Sequence, residues 1–298
     1  MTDRTRRWLI SGVSSGLGRA LLEKLAADGE QVIGTVRKTA DRDRLAELGS
    51  GVIPVQIDLT DSADNVTAAV QQAIEQLGGL DILVNCAGYG LIGAVEETTE
   101  DEARHQLETN FWGPWKLTRA ALPFLRASSA AHIVNVSSIA GFSGAPAMGL
   151  YDASKFALEG MSEALRLELE PLGVRVTIVE PGGFRTNWAG PGLVMSENEI
   201  PEYAPSTEWI RKRLRSQSGS QPGDPERAAA VIVTLIDSPK PPLRLPLGSD
   251  AAKALRAKST SILSELDEWS AVSASTDFPV EEQGPTSNSG RIASTPRP

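Results

Sequence analysis

Short, continuously apolar runs alternate with longer stretches of helical spacing, and this alternation limits the fold more than any other feature. "RRWLIS" ends in a Gly-rich turn and leads into "LGRALLEKLAADG"; "EQVIGTVR" and "GVIPVQID" follow as second and third runs. "SADNVTAAVQQAIEQLGGL" has helical spacing closed by Gly, and "DILVNCAG" is a fourth apolar run. A helical stretch from Thr99 to Leu125, interrupted at Gly113-Pro114, precedes "AHIVNVSS". "FALEGMSEALRLELE" then precedes "VRVTIVEPGG", and "PLRLPLG" supplies a seventh strand. Runs that are apolar throughout, rather than alternating, belong in a parallel sheet covered on both faces. The pattern predicts an α/β fold, one doubly wound domain over residues 1–269 with a parallel sheet of about seven strands. No internal repeat is visible. From Ser270 the chain turns to Ser, Thr, Pro and Gly, which predicts a disordered tail over residues 270–298.

Composition bounds the function. Of the 298 residues 41% are hydrophobic and 22% charged, enough for a substantial core. A net charge of -9 disfavours nucleic acid or an anionic membrane surface as the main partner. Cys86 is the single cysteine, so an intramolecular disulfide framework is excluded and a reducing cytosol fits. The opening "MTDRTRRWLISG" has a basic start, but its apolar stretch stops after Ile10, too short for an export signal. No apolar run approaches the roughly 18 residues of a membrane span. A soluble, cytoplasmic protein is expected. His105 and His132 stand apart from any cluster of ligating residues, so no metal site is expected.

Candidate chemistry gathers where strands end. "SGVSSGLG" places Gly12, Gly16 and Gly18 between the first strand and the first helix, where a pyrophosphate can approach backbone N–H groups. The spacing serves a plain turn as well; the strand–turn–helix context favours a dinucleotide. An NAD-binding fold usually holds the ribose hydroxyls with an acid about 20 residues beyond the last glycine. Here the end of the second strand carries Arg37 and then Lys38, and a guanidinium there attracts a 2′-phosphate. NADP(H) is therefore the expected cofactor, with an ordinary surface Arg-Lys pair as the alternative. Asp58, in "IDLTD", is a candidate adenine contact in a stretch that also caps a helix. "NCAG", Asn85 to Gly88, ends the fourth strand in small residues, and such sheets bind ligands outside their carboxyl ends.

"YDASK" spaces Tyr151 and Lys155 about one helical turn apart, on one face. A neighbouring ammonium favours the phenolate and would make the tyrosine a better acid near neutral pH. With Ser137-Ser138 closing the fifth strand just before it, a family resemblance becomes visible. "SGVSSGLG", "NCAG", the Asn of "ETNFWGP", "NVSSIAG", "YDASK" and "EPGGFRT" resemble the short-chain dehydrogenase/reductase family in order and spacing. The likeness runs from Trp8 to Thr186 and more loosely to Phe278. Each motif alone is commonplace; the ordered set is specific. "VIGTVRK" and "NCAGYGLIGAVEE" are similar to the hydroxysteroid-dehydrogenase-like, NADP-preferring branch. Ser11 stands where the family usually has Thr, and Cys86 replaces the second Asn of "NNAG".

The resemblance implies a Rossmann-type fold and four catalytic roles. Tyr151 would protonate the substrate oxygen, Lys155 would lower the tyrosine pKa and bond the nicotinamide ribose, Ser138 would orient the carbonyl, and Asn110 would support a proton-supplying water. It also implies cofactor contacts from Gly12, Ser14, Ser15, Gly16, Leu17 and Gly18 in the first turn. Arg37, Asp58 and Leu59 would follow at the next strand ends, then Asn85, Ala87 and Gly88. Tyr151 and Lys155, with Pro181, Gly182 and Thr186, would complete the set. After "EPGG", residues 183–222 combine Gly, Pro and polar residues with Trp188, Leu193, Met195, Tyr203 and Trp209. Such a stretch predicts a mobile lid, with Trp188 and Met195 joining Ser138 and Tyr151 around an apolar substrate.

The expected function is NADP(H)-dependent transfer of hydride to or from the carbonyl or secondary alcohol of a hydrophobic small molecule, as in a carbonyl reductase. A non-catalytic NADP(H)-binding sensor or scaffold is the alternative, because fold alone does not exclude it. Epimerase and dehydratase relatives usually carry a larger substrate domain than follows "EPGG" here. The stretches Glu102–Leu125 and Phe156–Leu169 are similar to helices through which family members form homodimers or homotetramers.

Overall fold

Each apolar run becomes a strand, and the polar stretches between them carry the caps and turns. The computed structural model describes residues 5–216 and 219–278. In chain order the strands are β1 (Arg7–Ser11), β2 (Gln31–Val36), β3 (Val52–Gln56), β4 (Ile82–Asn85), β5 (Gly90–Ile92), β6 (His132–Val136), β7 (Arg175–Pro181), β8 (Leu193–Met195) and β9 (Arg244–Leu247). Among the described residues, a seven-stranded sheet runs in the order β3-β2-β1-β4-β6-β7-β9, parallel throughout. β5 and β8 form a separate parallel pair.

The helices are α1 (Gly16–Ala27), α2 (Thr39–Ala46), α3 (Ala63–Leu77), α4 (Glu100–Leu107), α5 (Gly113–Arg126), α6 (Gly149–Leu169), α7 (Ala204–Ser216), α8 (Pro225–Asp237) and α9 (Ser249–Ala274). Strand side chains alternate between faces, and here both faces are dry. Trp8, Ile10, Val84 and Val134 pack with Leu21, Leu22 and Leu25 of α1 and Ile232 and Leu235 of α8. Leu9, Ile33, Leu83 and Ile133 pack on the other side with Val70 and Ile74 of α3 and Leu117 and Ala121 of α5. This two-sided burial is why the strands read as unbroken apolar runs.

Three expectations need correction. The break expected at Gly113-Pro114 lies just earlier, in a π-helical turn, Glu108–Trp112, that joins α4 to α5. Pro114 sits in the first turn of α5, where its missing N–H is harmless. The disorder expected from Ser270 does not begin there, because α9 continues to Ala274. "SELDEWSAVSA" is Ser-rich but contains good helix formers and neither Gly nor Pro. Residues 279–298 of the expected tail lie outside the described residues. Finally, the 183–222 stretch contains a short strand, β8, rather than loop and helical turns alone.

The chain divides after Leu255 into two compact units. The first carries the sheet and its covering helices. The second, of which residues 256–278 are described, is helical as far as Ala274. Among the described residues no helix is long and apolar enough to cross a membrane.

Candidate active site

The strand order reverses at β1, with β2 on one side and β4 on the other. A cavity of about 820 Å³ opens where these strands end, lined by residues just beyond β1, β2, β3, β4 and β6. This is the switch point at which open α/β sheets hold ligands.

Glycine shapes one wall. Gly12 has φ of 73°, and a Cβ there would lie 2.6 Å from Ala87 Cα. A Cβ on Gly18 would lie 2.6 Å from the Gly12 carbonyl oxygen. The turn therefore packs flush against the end of β4, where Ser11 Oγ accepts hydrogen bonds from Cys86 N at 3.0 Å and Ala87 N at 3.1 Å. The serine hydroxyl is thus used as a structural acceptor. α1 opens here with Ser15 as N-cap and no side-chain cap bond, and Ser14, Ser15, Gly16, Leu17 and Gly18 face the cavity. Uncapped helix N–H groups behind a glycine-rich turn fit a pyrophosphate.

Arg37, Asp58, Leu59, Ala87 and Gly88 extend the same wall. Asp58 accepts from Thr60 N at 2.9 Å and Thr60 Oγ1 at 2.8 Å. Burial pushes its pKa up, but these bonds, with the charge of Arg37 and a smaller contribution from His105, bring it below the usual carboxylate range. His105 lies on this wall with its ring 5.6 Å from that of Tyr89. Buried Lys116 donates to Leu59 O at 3.0 Å and Asp61 O at 2.7 Å and pairs with Glu108, so the π-turn holds the loop after β3 in place.

Tyr151, Lys155 and Ser138 converge on the cavity. Lys155 Nζ donates to Val136 O at 2.9 Å and lies 6.0 Å from the Tyr151 ring centroid. The expected lowering of the tyrosine pKa is not found. Burial raises it to about 12, Asp152 adds to the rise, and Ser138 opposes it by hydrogen bonding. The lysine reaches along α6 to the end of β6 instead of across to the phenol. Burial also pushes Lys155 down to about 8, against the pull of Cys86 and Glu159. Cys86 is raised to about 11 by burial.

Asn110 sits in the π-turn, fully buried and off the cavity wall. It accepts from Tyr89 N at 3.1 Å, and its Nδ2 donates to Tyr89 O at 2.9 Å and Ser154 Oγ at 3.1 Å. A Cβ on Gly88 would be 3.1 Å from Asn110 Oδ1 and 3.5 Å from Lys155 Nζ. The asparagine is thus close behind the lysine. π-Turns of this kind often occur at functional sites.

Pro181, Gly182 and Thr186 line the far wall, and Trp188 lies over the centre with its ring 5.3 Å from Tyr151. Besides Asn110, two expected site residues fall elsewhere. Met195 packs into a small apolar cluster with Ile92, Ile210 and Leu214, whereas its neighbour Val194 faces the cavity. Asn85 is buried inside the sheet, donating to Thr118 Oγ1 at 3.1 Å and Asn135 Oδ1 at 2.7 Å, and does not line the cavity. In both cases strand alternation chose the other face.

With this geometry in place, comparison with known proteins is decisive. A model of the short chain dehydrogenase family matches residues 6–192. The chain belongs to that family. It is 36% identical over 266 residues to Oxidoreductase BOA17 of Botryotinia fuckeliana, covering 89% of this chain and 96% of that protein. It is 36% identical over 260 residues to the 3-ketodihydrosphingosine reductase of Bacteroides thetaiotaomicron, covering 86% and 92%. A short-chain dehydrogenase structure from Streptomyces avermitilis is 42% identical and superposes with a TM-score of 0.86 over 92% of this chain and 100% of that one.

In this short-chain dehydrogenase a partly buried ionic cluster also backs the site. Ser137 Oγ donates to Glu159 Oε1 at 2.6 Å, and Glu159 pairs with Arg244. Arg244 also meets Glu180 at 2.6 Å and Glu163 at 2.6 Å. Sequence reasoning missed this cluster, although a glutamate inside the apolar run "VTIVEP" and an arginine inside "PLRLPL" were its signals. It also missed Tyr89, Leu91 and Leu214 on the cavity wall, which belong to no motif.

Proposed function

We propose that this oxidoreductase is an NADP(H)-dependent reductase of hydrophobic ketones or aldehydes. The observation that carries the reading is one cavity with the glycine turn and Arg37 on one wall and Tyr151, Ser138 and Lys155 on another. The glycine turn fits the pyrophosphate, Arg37 the 2′-phosphate, and Lys155 with Pro181, Gly182 and Thr186 the nicotinamide half. A bound nicotinamide supplies or accepts the hydride.

The chain's own residues handle the proton. With a pKa near 12, Tyr151 keeps its proton until a carbonyl oxygen gains alkoxide character and becomes basic enough to take it. Ser138 donates to the same oxygen as charge develops. Trp188, Leu91, Val194 and Leu214 give the substrate end an apolar lining, which selects against sugars and charged acids. The name of one relative, 3-ketodihydrosphingosine reductase, fits such a reaction. The segment after β7, described over residues 183–216 and 219–222, acts as the mobile cover. The presence of a single cysteine fits a cytoplasmic setting, and α4, α5 and α6 provide homodimer or homotetramer contacts.

The test is the initial rate of NADPH and NADH oxidation against hydrophobic ketones, aldehydes and quinones, with sugars as controls. Consumption of NADPH with the hydrophobic carbonyls is the expected result. NADPH binding without turnover on any carbonyl would instead identify a sensor.

A further inference from the structure

We propose that α9 is a self-association helix, two copies of the chain pairing antiparallel about a two-fold axis that passes between Ser261 and Ile262. Every residue from Ser259 to Phe278 is exposed, including Leu263, Leu266 and Trp269, each about 60% accessible. Isolated helices draw little stability from propensity; most comes from burying an apolar face. At 100° per residue, Leu255, Ile262, Leu266 and Trp269 fall within a narrow stripe, with Leu263 at its edge. Such a face calls for a partner.

Charge identifies which partner. Lys253, Arg256 and Lys258 precede the stripe's centre, and Glu265, Asp267 and Glu268 follow it, with no basic residue in the last turn. Cations toward the N-terminus and anions toward the C-terminus oppose the helix dipole. An antiparallel second copy relieves this, setting each basic half against an acidic half, whereas a parallel copy places like charges together. The acidic end disfavours an anionic lipid surface.

The register follows from helix geometry. Lys258 and Glu265 are seven residues apart, about two turns, so they share one flank of the stripe. Arg256 and Asp267 are eleven apart, about three turns, and share the other. In an antiparallel pair equal flanks face each other. The axis that sets Lys258 opposite Glu265 of the second copy also sets Arg256 opposite its Asp267. The same axis brings Trp269 beside Leu255 of the second copy, both on the apolar stripe, with Ile262 meeting its own copy near the centre.

The experiment is light scattering and sedimentation on the full chain. Ile262→Glu with Leu266→Glu should halve the assembled mass at micromolar concentration, with NADPH binding and melting temperature retained. Lys258→Glu and Glu265→Lys should each weaken association roughly three- to thirtyfold, because each disturbs two symmetric surface pairs. Combining the two charge changes should restore it. An unchanged mass in the apolar double variant overturns the proposal, as does a charge-swapped double variant weaker than either single one. Loss of binding to phosphatidylcholine–phosphatidylserine vesicles at unchanged mass would overturn it too, in favour of a lipid surface.

Discussion

Arg37 carries the cofactor choice in the proposed function, through one positive charge beside Asp58 at the end of β2. A charge-assisted hydrogen bond to a phosphate is worth roughly 1.5–3 kcal/mol, about ten- to a hundredfold in affinity. Arg37→Asp should therefore weaken NADPH by that factor while barely changing NADH, as read by fluorescence titration. An equal loss for both would move attention to Lys38 or to Arg19, which is paired with Glu23 at 2.6 Å. At this scale the sequence was most legible where chemistry and backbone coincide. Glycines at a strand–helix turn and a Tyr–Lys pair one turn apart have few other uses in that order. It was least legible at strand ends, where one residue of phase decides a side chain's direction. Asn85 and Met195 were assigned to the site by proximity in sequence, and the pleat sent both away from it. The tyrosine pKa was misjudged for another reason: spacing shows that two groups share a face, while burial and the Val136 carbonyl decide how they interact.

Among the elements, the 183–222 segment is the one most open to test. Trp188 lies against Tyr151 and across Gly90, where a Cβ would be 2.6 Å from its ring. Behind it α7 is held by Arg211, which pairs with buried Glu97 and with Glu199 at 2.7 Å. Trp188→Ala should raise KM for a hydrophobic carbonyl about five- to 150-fold, as expected for losing roughly 1–3 kcal/mol of apolar contact, and leave NADPH affinity nearly unchanged. Limited proteolysis of the wild type should slow when cofactor and substrate analogue are added together. Equal cleavage with and without ligand, and unchanged discrimination between hydrophobic and polar carbonyls, would remove the lid. The long buried strands and amphipathic helices were legible because their periodicity persists over many residues. β5 and β8 were not, since three-residue strands leave too little pattern, and neither was the π-turn, whose extra residue leaves the helical spacing almost intact.

Across the whole molecule, buried titratable groups set the response to pH. Burial pushes His132 down to about 3, so below about 6.5 it takes a proton only when unfolded, and stability falls with pH. Asp152 and Glu180 act the other way. Burial raises each to about 7, with Glu159 adding to Glu180, so both hold protons in the folded chain where the unfolded chain would not. Their contribution is fully present below about pH 4 and is lost as pH rises through about 7. Two groups outweigh one. Unfolding free energy should rise by roughly 1 kcal/mol per unit as pH falls from about 6.5 to about 5, and Asp152→Asn should flatten the trend. Urea unfolding across that range checks it, and a stability that falls toward pH 5 would contradict it. These groups were hidden in the sequence because a buried carboxylate and a solvated one are written with the same letter. The catalytic reading of the whole chain rests most directly on Tyr151. Tyr151→Phe should bind NADPH with unchanged affinity and lose about 10²- to 10⁴-fold in carbonyl turnover. Near-normal turnover in that variant would take the phenol out of the chemistry and contradict the assignment.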